Sequence, residues 1–315
     1  MIPLLEIRGL ISEFRIYDRG GRRYLQAVRG VDIRIYPGEI VGLVGESGCG
    51  KSTLARCALR LLEPTSGSVF FDGTDMLRLP PASLRRRRRE FQMIFQDPLA
   101  SLDPRMTVGA SLEEPFLAHG LGSREQRRLW VKELMESVAL DHELAARVPG
   151  MLSGGQQQRA AIARALALKP RLVVADEPVS ALDASVQLQI LNQLAELQRR
   201  LGMGLLLISH SLAVVHYLCS RVLVMYLGKI VEESAAEQFF AQPDHPYSRL
   251  LLDSMPRGFG RERRSVPAGE IPSPADPPPG CAFHPRCPQA LPRCSRESPG
   301  LVDCGAGRRV ACFLY

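Results

Sequence analysis

A glycine-rich segment at residues 45–52 has the composition of a phosphate-binding loop, with the sequence GESGCGKS. Its glycines allow consecutive backbone N–H groups to converge on a phosphate without steric cost, and a helix behind it adds the positive end of its dipole. Lys51 would place a compact cation on the β- and γ-phosphates of a nucleotide, and the Ser52 hydroxyl would coordinate Mg²⁺. The predicted phosphate-binding residues are Gly45, Glu46, Ser47, Gly48, Cys49, Gly50, Lys51, Ser52 and Thr53.

Two adjacent carboxylates follow an apolar run much further along the chain. Residues 172–175 are all apolar, which is typical of a buried strand, and ligands of α/β proteins bind at the C-terminal edge of such strands. Asp176 is the predicted Mg²⁺ carboxylate, and Glu177 is predicted to polarise the water that attacks the γ-phosphate. The alternative for Glu177 is structural, as a helix-capping acid ahead of Pro178.

A second candidate anion site lies between these two segments. Residues 152–156 have the sequence LSGGQ and open a helical pattern that continues over residues 157–168. Ser153 is a favourable N-cap residue, and Gly154 and Gly155 would expose N–H groups at the N-terminus of this helix. The sequence therefore predicts two anion-binding loops that are distant from each other along the chain.

The elements around the first loop come in the order that such a loop needs. Val31, Ile33 and Ile35 alternate with polar residues, which predicts a half-buried strand. Residues 40–44 form a compact apolar run, as expected of a strand covered on both faces, and residues 53–62 have a helical pattern. Strand, glycine-rich loop and helix in this order are the context that the phosphate-loop pattern requires.

These motifs together resemble the ATP-binding-cassette (ABC) ATPases. Residues 152–156 are similar to the signature motif of that family, and residues 180–183 resemble the loop through which two cassettes communicate. Gln96 resembles the glutamine that senses Mg²⁺ and the attacking water, and His210 resembles the switch histidine that contacts the γ-phosphate. The resemblance implies an α/β fold, with a RecA-like P-loop NTPase core of mixed sheet, an inserted helical lobe and ATP hydrolysis at this site.

The resemblance also implies a pair of cassettes that face each other head to tail. The signature residues Ser153, Gly154, Gly155 and Gln156 would complete the ATP site of the partner, and Asp183 would lie in the communicating loop. The family stacks the adenine on an aromatic residue upstream of the P-loop. Phe14 is the favoured candidate for this contact, and Tyr17 is the alternative.

The amino-acid sequences of several segments resemble those of the ATPases of bacterial oligopeptide/dipeptide (and nickel) importers. Within this group, the chain is more similar to the second of the two ATPases that such systems usually encode. These segments are residues 92–98, 101–108, 245–251, 269–274 and 280–288. The resemblance implies a paralogous second cassette, two transmembrane permease subunits and an extracytoplasmic solute-binding protein as partners. The chain would be peripheral, on the cytoplasmic face of the bacterial inner membrane. Ser211 departs from the pattern, since relatives usually carry Asp there, and we expect altered local hydrogen bonding.

The expected domain organisation follows the same family. Residues 1–235 would form the nucleotide-binding domain, with the helical lobe at about 98–155, and residues 236–315 would form the C-terminal extension. Residues 97–104 are the expected docking surface for the membrane subunits. Residues 267–279 are too rich in proline for regular structure.

The C-terminal extension carries a cluster of cysteines. Cys281, Cys287, Cys294 and Cys312 match the positions of a cysteine cluster in this subfamily, which in some relatives holds a [4Fe–4S] centre. Four thiolates can bind an iron–sulfur cluster or a tetrahedral Zn²⁺. The expectation is an iron–sulfur cluster, and the alternatives are a zinc ion and no metal at all. Cys304 is either a substitute or a bystander.

Composition excludes several other functions. The 315 residues are 45% hydrophobic, yet no apolar run is long enough to cross a bilayer and the N-terminus does not resemble a signal peptide, so we expect a cytoplasmic protein. The net charge is +7, but no aromatic residues interleave with the arginines at 85–89 as a base-stacking surface would need, and nucleic acid is not expected as a partner. The alternative function is that of a soluble ABC ATPase acting on nucleic acid or the ribosome. Such proteins usually carry a long coiled coil or two tandem cassettes, and this sequence shows neither. The third candidate function is that of an exporter subunit, and the importer-like tail argues against it.

Overall fold

The structure is a computed structural model that describes residues 2–18, 21–180, 182–255 and 272–315. The chain divides into two compact units, each made from several segments. The first unit is drawn from Met1–Leu4, Ile35–Glu39 and Arg78–Leu207, and the second from Leu5–Arg34, Ile40–Leu77 and Ile208–Tyr315.

The described residues form strands, α-helices and short 3₁₀ helices. The strands are β1 (Leu5–Asp18), β2 (Gly21–Ile35), β3 (Ile40–Val44), β4 (Ser66–Phe71), β5 (Thr74–Asp75), β6 (Phe91–Ile94), β7 (Leu172–Asp176), β8 (Gly204–Ile208), β9 (Arg221–Tyr226), β10 (Lys229–Ala235), β11 (Val302–Asp303) and β12 (Arg309–Val310). The α-helices are α1 (Lys51–Ala58), α2 (Pro81–Arg87), α3 (Val108–Ala118), α4 (Arg124–Ser137), α5 (Gly154–Leu166), α6 (Ala184–Leu201), α7 (Leu212–Leu218), α8 (Ala236–Ala241) and α9 (Pro246–Asp253). The 3₁₀ helices are Pro98–Ala100, His142–Ala146, Pro149–Met151, His284–Arg286 and Pro292–Ser295.

The second unit contains an antiparallel sheet with the strand order β2-β1-β4-β5. Strand β1 pairs antiparallel with β4, with Leu5 opposite Phe71. The alternation predicted for β2 is confirmed, because Val31 and Ile33 are buried at 1% and 3% exposure, while their neighbours point to the surface. This period-2 burial lets one face of the strand supply the core.

A second group of strands in this unit has the order β11-β12-β10-β9-β3. Strand β3 runs parallel to β9, and β9 runs antiparallel to β10, so the sheet is mixed as expected. Strand β12 of the C-terminal extension pairs with β10, with Val310 opposite Glu232. The extension therefore continues this sheet, and the domain division expected at residue 235 remains a prediction.

The first unit combines parallel strands with the helices of the expected lobe. Its strands have the order β8-β7-β6, and Phe91 of β6 lies opposite Leu172 of β7 in parallel register. Helix α3 contacts both α4 and α5. A capping box at Ser123 starts α4, where the Ser123 hydroxyl accepts from the N–H of Gln126 and the Gln126 side chain accepts from Ser123.

Several predicted boundaries shift by a few residues. The helix expected at 53–62 is Lys51–Ala58, and it ends because Arg60 adopts a positive φ of 49°. The helix expected at 157–168 is Gly154–Leu166, since its cap lies at Ser153. Residues 267–271 of the proline-rich segment and residue 181 lie outside the described residues, and residues 272–279 form turns and irregular structure.

Within the described part of the chain, no helix has both the length and the apolar character that a membrane crossing needs.

Candidate functional site

The loop at residues 45–50 connects β3 to α1 in the second unit, as predicted. Its backbone needs glycine at two points of close approach. A Cβ on Gly45 would lie 2.2 Å from the carbonyl oxygen of Met225, and a Cβ on Gly50 would lie 2.0 Å from that of Ala27. Gly50 also has a φ of +107°, which L-residues rarely adopt. The neighbouring strands therefore press directly against the loop and fix its path.

Lys51 is held inside this loop. Its side chain is buried at 6% exposure, and its ammonium donates to the carbonyl oxygens of Gly45 and Glu46 at 2.8 and 2.9 Å. The same ammonium lies 3.7 Å from the sulfur of Cys49. Burial raises the pKa of the Cys49 thiol, while the Lys51 charge opposes that rise. The loop thus presents a cation and keeps the thiol beside it neutral.

Glu46 makes two contacts that the sequence did not predict. Its backbone N–H donates to the hydroxyl of Tyr247 at 2.9 Å, and its carboxylate accepts from the guanidinium of Arg286. Tyr247 and Arg286 belong to the C-terminal extension, which had no expected role at the nucleotide site. Residues separated by some two hundred positions give no local sequence signal of such contacts.

The paired carboxylates lie in the first unit, at the C-terminal end of β7. Asp176 is buried at 3% exposure. The carboxylate of Glu177 accepts from the side-chain amide of Gln96 at 3.1 Å, because Gln96 follows β6 and β6 pairs in parallel with β7. The structure therefore brings together two of the predicted catalytic side chains.

Glu177 does not cap a helix, which was the structural alternative for this residue. The residues that follow Glu177 form a turn, in which the carbonyl oxygen of Glu177 accepts from the Ser180 N–H at 3.3 Å. Helix α6 begins only at Ala184, with Asp183 at its N-cap and no side-chain capping bond. Glu177 itself has a φ of +47°, an uncommon conformation for a residue that is neither glycine nor asparagine.

The signature segment caps α5 in the first unit. The Ser153 hydroxyl accepts from the Gln156 N–H, and the Gln156 side chain accepts from the Ser153 N–H at 2.9 Å, so this is a complete capping box. A Cβ on Gly154 would lie 3.3 Å from Leu182, and one on Gly155 would lie 2.8 Å from Val186. Glycine at these positions lets the start of α5 pack closely on the start of α6.

A cavity of about 180 Å³ lies next to this segment in the first unit. It is lined by parts of three predicted motifs, namely Gln96 and Gly154 together with Ser180 and Leu182. The residues that the sequence assigned to the glutamine, signature and communicating loops therefore share one surface.

His210 and the candidate adenine-stacking residues belong to the second unit. His210 is exposed and follows β8, and Ser211 occupies the N-cap of α7 without a side-chain capping bond. The Ser211 N–H donates instead to the hydroxyl of Ser209 at 3.0 Å. Phe14 is half-buried and Tyr17 is 74% exposed, both on β1, so the choice between them stays a prediction.

The cysteines of the extension lie around one small cavity, but not as a formed metal site. Cys281, Cys287, Cys294 and Cys312 all line this cavity, and Cys304 does not. Across residues 2–18, 21–180, 182–255 and 272–315, no group of three or more His, Cys, Asp or Glu side chains is arranged to hold a metal ion. Burial raises the pKa of the Cys281, Cys287 and Cys312 thiols. Among these residues, neither the expected iron–sulfur centre nor zinc has a preformed ligand group.

Comparison with known families and proteins gives matches along the whole chain. The family described as "ABC transporter" matches residues 28–180, and the family described as "Oligopeptide/dipeptide transporter, C-terminal region" matches residues 231–294. The putative peptide import ATP-binding protein BOV_A0347 of Brucella ovis is 47% identical over 99% of this chain and 98% of that protein. The probable peptide ABC transporter ATP-binding protein y4tS of Sinorhizobium fredii is 52% identical over 99% of this chain and 90% of that protein.

A solved structure gives the same result for the fold. The dimeric ATP-binding cassette MJ0796, in a post-hydrolysis state bound to ADP and Pi, is 30% identical and covers 74% of this chain and 98% of its own, with a TM-score of 0.67. Sequence likeness over nearly the full length thus agrees with likeness in structure over the cassette. The chain belongs to the ATP-hydrolysing subunits of ABC transporters that carry the oligopeptide/dipeptide transporter C-terminal region.

Proposed function

We propose that this ATPase powers the import of oligopeptides or dipeptides, or of a related solute such as nickel, across the cytoplasmic membrane. The observation that carries the proposal is the full-length likeness to proteins named for peptide import, together with the match of the C-terminal region. The cargo itself would be selected by the membrane subunits and an external binding protein, so this chain would supply the energy rather than the specificity.

The chemistry of the proposed motor is positioning and charge stabilisation. The amides of the phosphate loop and Lys51 would neutralise the phosphates. Ser52 and Asp176, with Gln96, would hold Mg²⁺, which supplies positive charge to the β- and γ-phosphates. Glu177 would orient and polarise the attacking water, and its contact with Gln96 at 3.1 Å supports this role because it fixes the carboxylate. His210 would contact the γ-phosphate.

The proposed assembly contains a second cassette, two permease subunits and an extracytoplasmic binding protein. The signature residues 153–156 would complete the ATP site of the second cassette, and a paralogue is the expected partner. The capping box at Ser153 supports this role, because it orders the N-terminus of α5, where the N–H groups of Gly154 and Gly155 lie. Residues 97–104 would dock on the permeases, at the cytoplasmic face of the membrane.

A [4Fe–4S] centre on Cys281, Cys287, Cys294 and Cys312 remains a narrower proposal, with Zn²⁺ as the alternative. Its support is that the four thiols line one cavity, and against it stands the lack of a preformed ligand group. Anaerobic purification followed by a visible spectrum and metal analysis tests it. A colourless protein without iron would end the iron–sulfur proposal, and bound zinc would favour the alternative.

Reconstitution tests the transport proposal. The chain would be assembled with its partner cassette and permeases in vesicles, and the release of phosphate would be measured with a binding protein loaded with peptide, nickel or neither. We expect ATP hydrolysis to rise several-fold with peptide and labelled peptide to cross the membrane. Hydrolysis that responds to nucleic acid, or a chain that never associates with membrane subunits, would contradict the proposal.

A further inference from the structure

An ion pair connects the phosphate loop to the C-terminal extension within the second unit. The guanidinium of Arg286 donates to both oxygens of the Glu46 carboxylate, with Nη1 at 2.8 Å from Oε2 and Nη2 at 2.9 Å from Oε1. The side chain of Arg286 is 7% exposed and that of Glu46 is 20% exposed. A bidentate pair of this kind is strong and directional, and little water reaches it.

The aromatic residues around Arg286 hold this ion pair in place. The hydroxyl of Tyr226 lies 3.5 Å from Arg286 Nη1, and the guanidinium lies 6.0 Å from the Tyr226 ring and 5.8 Å from the Phe283 ring. The Tyr226 ring packs on that of Tyr247, with centroids 4.6 Å apart. The hydrogen bond with Glu46 raises the pKa of Arg286 further, so the guanidinium stays charged.

The backbone of Glu46 is also held by the C-terminal extension. The Glu46 N–H donates to the hydroxyl of Tyr247, a fully buried residue of α9. Because this amide already has a partner, it does not need a phosphate oxygen. Glu46 is therefore fixed at both its main chain and its side chain by residues of the C-terminal extension.

The charge of Glu46 is a difficulty for a loop that binds a triphosphate. A carboxylate in the phosphate loop repels the nucleotide unless a cation neutralises it. Arg286 supplies that cation, and its fork turns the carboxylate toward the extension. The pairing thus removes an unfavourable charge and fixes the second residue of the loop.

We propose that Arg286 and Tyr247 are positioning residues of the ATP site, which set the affinity of the phosphate loop for nucleotide through Glu46. The C-terminal extension is then a part of the nucleotide site rather than an appendage to it. Both residues act through the loop and not by touching the nucleotide.

Substitutions in the full-length chain, assembled with its partner subunits, test this proposal. In Arg286→Met the Glu46 charge is left unpaired beside the phosphates, and we expect the Kd for ATP to rise about tenfold, with kcat at saturating ATP nearly unchanged. Glu46→Gln removes the repelling charge, and its Kd is the reference for the double variant. Adding Arg286→Met to Glu46→Gln should raise that Kd by no more than about threefold, against about tenfold when Glu46 is present.

Two controls separate this role from a purely structural one. Arg293→Met removes an arginine of the extension that donates to the carbonyl oxygen of Phe313 and not to the loop, and ATP affinity should not change. Arg286→Lys retains the charge without the fork, so its Kd should lie between those of wild type and Arg286→Met.

The outcomes that overturn the proposal are specific. ATP affinity unchanged in Arg286→Met would remove the role of the pair, and a double variant as weak as Arg286→Met would make the role structural. If Arg286→Met alone fails to fold, folding and ATP binding by the double variant would support charge compensation. Failure of the double variant as well would overturn it.

Discussion

Glu177 illustrates how much of the chemistry depends on single side chains. Its carboxylate accepts from Gln96, and its backbone has a positive φ that places the side chain at the end of β7. The sequence predicted both residues from motifs, and the structure brings them within hydrogen-bonding distance. The strained backbone could not be predicted, because Glu carries no signal for a left-handed conformation.

We expect Glu177→Gln to bind ATP normally and to hydrolyse it at least about a hundredfold more slowly in the assembled transporter, because the water loses its carboxylate. Phosphate release and nucleotide binding measure the two properties. Glu196→Gln, on the exposed face of α6, is the matched control and should hydrolyse at the wild-type rate. Wild-type turnover by Glu177→Gln would show that another group serves as the base.

A second residue-scale prediction concerns Cys219, which is 7% exposed. Burial raises the pKa of its thiol from 9.0 to about 12, so its thiolate fraction at pH 8 should be about a thousandfold lower than that of a free cysteine. We expect iodoacetamide to modify Cys219 only slowly in the folded chain. Its modification should rise about tenfold per pH unit between 7 and 9, because only the thiolate reacts.

Mass spectrometry of the peptides reads out this reaction, and the chain unfolded in guanidinium is the positive control. Cys304, on a more exposed loop of the extension, should react faster in the folded protein. Equal rates at Cys219 and Cys304 would contradict the effect of burial.

At the scale of elements, the strand, loop and helix around the nucleotide site follow from local pattern. The apolar run at 40–44, the glycines after it and the capping signal at Ser153 each have a period or a residue type that predicts structure. The end of α1 was less predictable, because Arg60 is not a residue that usually stops a helix.

Gly50 and Gly48 allow a matched test of the loop. Both have positive φ, but a Cβ would clash only at Gly50, whereas nothing lies within 4 Å of one at Gly48. We expect Gly48→Ala to cost roughly 1–3 kcal/mol from backbone strain alone. Gly50→Ala should cost more and lose ATP binding, because the loop must move away from Ala27.

Urea unfolding and titration with a fluorescent nucleotide measure these two effects. Equal stability and equal affinity in the two variants would contradict the role of close approach at Gly50.

At the scale of the whole molecule, the relation of the extension to the nucleotide site was not predictable. Motifs and composition identified the cassette and the cysteine segment separately. The contact between Glu46 and Arg286 spans 240 positions and depends on folded geometry, so no local pattern predicts it. The four cysteines share sequence positions with the cluster of the subfamily, but shared positions do not by themselves give a ligand geometry, so the iron–sulfur centre stays a prediction.

Substitution of Phe283 tests whether the extension packs as part of the second unit. It is 1% exposed, and its ring lies 5.4 Å from that of Tyr226 and 5.5 Å from that of Tyr247. We expect Phe283→Ala to cost about 3–5 kcal/mol and to lower the melting temperature on the order of 10 °C. Leu314→Ala, at a side chain that is 42% exposed, should change the melting temperature little.

Differential scanning calorimetry of the full-length chain measures both variants. A wild-type melting temperature for Phe283→Ala would mean that the extension packs independently of the rest of the second unit.

The pairing of β12 with β10 has a practical consequence for shortened forms of this protein. Residues 309–310 hydrogen-bond along β10, and the Ala311 N–H donates to the Val231 carbonyl oxygen at 2.8 Å. Deleting the last dozen or so residues would leave that side of β10 with unpaired N–H and C=O groups, which is a template for strand pairing between molecules. Chains trimmed there should therefore self-associate and precipitate, even though every nucleotide-binding motif is retained.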